Sequence, residues 1–134
     1  MVRVIAAPPP PPPGKPRGNL ESYNWPTEAT VGEDKDWSMT VHNNGEASGT
    51  IGAGIANIDG NPGNIIVTIA GETFEIPPGE VLLLYLPVDV EVCGRLETSG
   101  KVKFMAEGTY VIRLMGLHQE DTSWIIDTYV DING

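Results

Sequence analysis

Residues 31–49 read VGEDKDWSMTVHNNGEASG. Apolar and polar residues alternate through its middle, so Trp37, Met39 and Val41 fall on one face of an extended chain. Asn43-Asn44-Gly45 follows at once, and Asn and Gly tolerate the positive φ of a tight turn. The stretch is a half-buried strand ending in a turn.

The same pattern recurs outward in both directions. Leu20 to Trp25 reads as a strand stopped by Pro26, while Ile51, Ala53 and Ile55 alternate with Gly52, Gly54 and Ala56. Asp59-Gly60-Asn61-Pro62-Gly63-Asn64 is a loop, and Ile65–Ile69 with Thr73–Ile76 forms a hairpin about Ala70-Gly71-Glu72. After the turn Pro77-Pro78-Gly79, the apolar run Val81 to Leu86 is expected to be a strand buried on both faces. Lys101–Met105, Thr109–Leu114 and Ser123–Ile132 complete a set of seven to nine strands. Sixteen glycines and twelve prolines among 134 residues, without helical periodicity, place the chain in the all-β class. The expected architecture is an immunoglobulin-like β-sandwich over residues 19–134, with Trp37, Met39, Val41, Ile55, Leu84, Tyr110 and Ile112 in its core.

Residues 1–18 are different in kind. Six consecutive prolines, residues 8–13, enter neither a helix nor a central strand; as polyproline II they make a rod roughly 19 Å long. Ahead of the rod, Val2-Arg3-Val4-Ile5 is rich in β-branched residues, and Gly14 to Gly18 forms a joint behind it. Arg3, Lys15 and Arg17 give this extended arm three bases and no acid, whereas all 18 acids lie beyond residue 20 beside five bases. An acidic body is a poor match for phosphate backbones, so nucleic acid is not expected as a partner.

At this point the residues resemble a known family. The string VGEDKDWSMTVHNNGEASG is similar to the opening of bacterial and archaeal immunoglobulin-like modules of the CARDB type, where an alternating strand runs into an Asn-Gly turn. FEIPPGEVLLLYL resembles their Pro-Gly-Glu turn before a core strand, and EGTYVIRL their Gly-x-Tyr segment. The resemblance spans about residues 27–132 and implies that Tyr110 forms a tyrosine corner. It also implies a structural or adhesive scaffold without a shared active site. The chain departs from the pattern in having no cysteine pair, a long Asp89–Gly100 connection, and the N-terminal arm.

No catalytic constellation emerges. His42 and His118 fall on different strands without cysteine support, so no zinc site is expected. Cys93 lies among Asp89, Glu91 and Glu97, carboxylates that blunt a thiol's reactivity. The Asp59 loop begins like a calcium loop but has Asn64 at its sixth position and Ala70 at its twelfth. Asp34 and Asp36 form a second acidic pair that reads as solvated. There is no phosphate-binding glycine loop and no Gly-x-Ser-x-Gly elbow. Trp37 and Trp124 read as core, while Trp25, at the junction of arm and body, is the tryptophan expected at the surface.

The expectation is a non-enzymatic subunit of an ordered assembly, a virion capsid or decoration protein or a surface filament. It needs no cofactor or metal and no membrane insertion, and it contacts other copies or another structural subunit through Val2, Arg3, Val4, Ile5, Lys15 and Arg17. The expected location is a virion or an extracellular assembly, and the apolar stretch Val4–Ala7, too short for a signal peptide, tilts the expectation toward a virion protein assembled in the cytoplasm. The alternative, supported by the CARDB-like resemblance, is an extracellular ligand- or carbohydrate-binding accessory module, with Trp25 as the candidate exposed contact.

Overall fold

The computed structural model describes residues 17–85, 90–118 and 121–134, with backbone alone at 85 and 121–124. The strands are β1 Gly18–Asn24, β2 Glu28–Thr30, β3 Lys35–Asn43, β4 Ile51–Asn57 and β5 Ile65–Ile69, then β6 Glu72–Ile76, β7 Glu80–Tyr85, β8 Arg95–Phe104, β9 Gly108–His118 and β10 Asp121–Asn133. They form two five-stranded sheets, one ordered β1-β3-β8-β5-β6 and the other β2-β10-β9-β4-β7. Pairing is antiparallel except between β10 and β2, which run parallel. The fold is the all-β immunoglobulin-like sandwich.

Turn chemistry sets the registers. Ala70 and Gly71 both take positive φ, 49° and 83°, which makes the two-residue turn whose twist suits the β5–β6 hairpin. At Pro77-Pro78-Gly79-Glu80, Gly79 has φ 91° and the Glu80 amide donates to the Pro77 carbonyl at 3.1 Å.

Alternation places the core as expected for Trp37, Met39, Val41, Ile55, Tyr110 and Ile112, all of which are buried between the sheets. Trp37 also donates its indole N–H to the Lys101 carbonyl at 3.0 Å. The arm was read as ending at Gly18, but Gly18 is the first residue of β1. The Arg17 amide already donates to Asn43 Oδ1 at 3.1 Å.

Three expectations are corrected. Ten strands form among the described residues rather than seven to nine, because three-residue β2 is too short to show alternation. The latter half of the supposed long connection to Gly100 is strand, since β8 begins at Arg95; its outer residues Arg95, Glu97, Ser99 and Lys101 hid it among polar loops. Most consequentially, Leu84 is not deep core. β7 pairs only with β4 among the described residues, so it is an edge strand, with Leu82 and Leu84 half-buried and Val81 and Leu83 exposed. Leu84→Ala is therefore expected to cost about 1–2 kcal/mol in urea unfolding, at or below the low end of the roughly 2–5 kcal/mol for a fully buried leucine.

Candidate interaction surface

The ends of the sandwich are tied by buried polar side chains. Asn43 is fully buried; its Nδ2 donates to the Ala47 and Val90 carbonyls at 3.0 and 2.9 Å, and its Oδ1 accepts from the Arg17 and Gly45 amides. At the opposite end Asn57 Nδ2 donates to the Gly63 and Ile76 carbonyls. There Asn61 clamps Asn57 to both main-chain groups of Val111. The Asp59 loop is thus tied into the fold through Asn57 and Asn61. Tyr110 forms the tyrosine corner, its hydroxyl accepting from the Ala106 amide at 3.2 Å.

Burial pushes the Tyr110 phenol above its ordinary value of 10.0. An acid whose folded value is raised contributes stability that is whole below the ordinary value and is lost as pH climbs from there through the raised one. Tyr110→Phe is expected to cost about 1–3 kcal/mol at neutral pH by stranding the Ala106 amide. The same substitution should flatten the decline in stability above pH 10.0, as read from unfolding midpoints across alkaline buffers.

The two outer faces differ sharply. That of the β1-β3-β8-β5-β6 sheet is polar, with Arg95 bonded to both carboxylate oxygens of Glu21, Lys101 paired with Asp36, and Lys103 3.8 Å from Asp34. His42 sits half-exposed on this face. His118, at the end of β9, and Cys93, exposed in the loop before β8, are in neither case gathered into a metal cluster among the described residues.

The other sheet carries an apolar strip. Strand register aligns Leu83, Gly54, Met115 and Ile125 in one row across β7, β4, β9 and β10. The next row is Val81, Ala56, Arg113 and Asp127, in which the Arg113 guanidinium donates to both Asp127 oxygens and holds that carboxyl below its usual range. Val81 and Leu83 are each 47% exposed, Ile125 is 53% and Tyr129, beyond the ion pair, 66%. Met115 and Leu117 lie on this same outer face, over Gly54, yet are buried.

Of the residues expected to form an assembly arm, Val2, Arg3, Val4, Ile5 and Lys15 lie outside the described residues, and Arg17 is exposed with its main chain held by Asn43 and Asn44. Trp25 is a correction. It is 6% exposed and packs 5.8 Å from Trp37, because Leu20 and Trp25, at either end of β1, turn inward over the edge of the core. Trp25 therefore offers no surface ring. The side chain of Trp124 falls outside the description. Reading along the sequence missed the strip because its members come from four separate strands; alternation in β4 and β10, combined with pairing, is the signal that reveals it.

No protein-family model matches the chain, and no curated protein matches it. Among solved structures, the fold is similar to the CARDB domain of a Pyrococcus furiosus protein, solved in complex with di-metal ions. Identity is 12%, with 87% of this chain and 94% of that one covered at a TM-score of 0.50. A Listeria innocua β-glucosidase in complex with glucose matches at 13% identity and TM-score 0.49, over 90% of this chain and 16% of its own. A Pseudomonas fluorescens alkylpurine DNA glycosylase bound to DNA matches at 11% and 0.48, over 91% of this chain and 31% of its own. The resemblance read from residues 27–132 to CARDB-type modules is borne out as a likeness of fold.

Proposed function

We propose that the chain is a non-enzymatic structural subunit that joins an ordered assembly, such as a virion shell or decoration layer or a surface filament, through its N-terminal arm. The observation that carries this reading is the apolar row Leu83, Gly54, Met115 and Ile125 on one sheet face, with Val81 beside Leu83 at one exposed end and Ile125 exposed at the other. Contiguous exposed apolar surface of this kind marks interaction sites. The arm supplies a β-prone segment on a stiff spacer, with a charge opposite to that of the body.

The accessory-module alternative keeps the CARDB-like likeness of fold that suggested it, while the burial of Trp25 removes its candidate exposed ring. Sedimentation velocity tests the reading directly. The intact chain is expected to sediment as oligomers whose size grows with concentration, and the chain lacking residues 1–16 as a folded monomer. An intact chain that stays monomeric, or a truncated one that assembles equally well, defeats it.

A further inference from the structure

An edge strand made of consecutive apolar residues is an unusual feature for a folded surface. Edges are ordinarily blunted by charge, proline or a bulge, because an unpaired row of N–H and C=O groups invites another strand. After Glu80, β7 has none of these through Tyr85, and its pairing with β4 runs from Glu80 to Tyr85 without a register shift. Its two faces are both apolar, Val81 and Leu83 outward and Leu82 and Leu84 half-buried against the core. The sequence pattern asks for cover on both faces, and among the described residues only one side of the strand has a partner.

We propose that the outer edge of β7 accepts Val2–Ile5 of a second copy of this chain as an added strand. The proposal rests on the assembly reading above and names its acceptor. In an added strand, alternate side chains share a face. Val2 and Val4 then extend the row of Leu83, Gly54, Met115 and Ile125, while Arg3 and Ile5 lie on the side of Glu80, Leu82 and Leu84.

The arm's root and length select a second copy over the chain's own body. Gly18 touches the main chain of Leu117, at the end of β9, and β1 runs from there into the other sheet. β7 lies two strands from β9, about 10 Å at roughly 4.8 Å per strand. Polyproline rise would give the six-proline rod roughly 19 Å and residues 6–16 at most about 34 Å, and a polyproline rod resists folding back on itself. A spacer of that length and stiffness favours a neighbour's β7 over its own. Arg3 and Lys15 also meet a body that holds every acid of the chain, which favours encounter between arm and body over body and body. The contact is head-to-tail and propagates.

The experiment uses two full-length variants, Val4→Glu in the arm and Leu83→Lys on the edge, each verified as folded by circular dichroism and thermal unfolding. Each alone is expected to be monomeric in sedimentation velocity at concentrations where the unaltered chain assembles. Mixed in equal amounts, they retain one intact arm and one intact edge, so a complex of twice the chain mass should appear and nothing larger. If Leu83→Lys assembles like the unaltered chain while Val4→Glu does not, the acceptor lies elsewhere; the inference fails and the assembly reading stands. If the unaltered chain is monomeric throughout, both fail. Should Leu83→Lys not fold, amide exchange on the unaltered chain decides. Among the Val81–Tyr85 amides that point away from β4, protection that is lost on dilution supports the proposal, and protection independent of concentration assigns the edge to the chain's own arm and overturns it.

Discussion

Trp37→Ala is expected to lower the unfolding free energy by about 3–5 kcal/mol, the range for deleting a large aromatic from a packed core. Trp37 is 1% exposed, the largest fully buried side chain among the described residues, and begins the alternating stretch of β3. Its ring is tilted 47° against Trp25, so its removal also unseats the residue that closes the β1 edge. The loss has a polar part, since the Lys101 carbonyl forfeits the indole donor. Trp37→Phe keeps most of the volume and drops the donor, so its cost should fall to about 1–3 kcal/mol. Urea unfolding followed by circular dichroism measures both. A loss under about 1 kcal/mol for the alanine variant would mean that β3 does not face the core.

The residues that made the fold legible are those whose side chains act within their own strand. Trp37, Met39 and Val41 announce a face by spacing alone, and the corner at Tyr110 was implied by the likeness of EGTYVIRL to CARDB-type modules. What stayed hidden depends on partners distant in sequence. Asn43 was legible as the first residue of a turn, yet its amide binds Val90, 47 residues away, and Asn61 binds Val111 across 50. The apolar run of β7 was legible as a strand but not as an edge, because burial on both faces and an uncovered edge of a sheet look identical in a string of residues. Trp25 misled for a related reason. Its neighbour Pro26 signals a chain break, and a break says nothing about which way the preceding side chain turns.

The surface was less legible than the fold for the same physical reason. A row such as Leu83, Gly54, Met115 and Ile125 exists only once three pairings fix their registers, and a slip of one residue in any of them would turn that strand's members inward. Charge was readable at once, since the division between a basic arm and an acidic body needs no folding.

Gly116→Val is expected to cost about 3 kcal/mol and to act first on the strand that anchors the arm. On β9, position 116 faces inward, and a Cβ there would stand 2.4 Å from the Gly18 carbonyl oxygen and 3.1 Å from the Leu20 amide nitrogen. Both atoms are main chain, so neither can swing aside. The start of β1 must lift, and with it go the bonds between Arg17 and Asn43 and between the Asn44 amide and the Arg17 carbonyl. Overpacking alone costs about 1–3 kcal/mol, and the parted hydrogen bonds bring the sum to the upper end. Because the damage is local, amide exchange should quicken at Asn19, Leu20 and Asn44 well before the β5–β6 hairpin loosens. Gly54→Ala is the control on the same sheet. Its Cβ would meet Met115 Cε at 2.8 Å, the tip of a flexible side chain on the outer face, and a shift of that methyl should hold the cost under about 1 kcal/mol. If arm-mediated assembly needs a fixed root, Gly116→Val will weaken it although neither Val2–Ile5 nor β7 has changed. Full assembly by a Gly116→Val protein with frayed β1 would mean that the arm works as a loose tether.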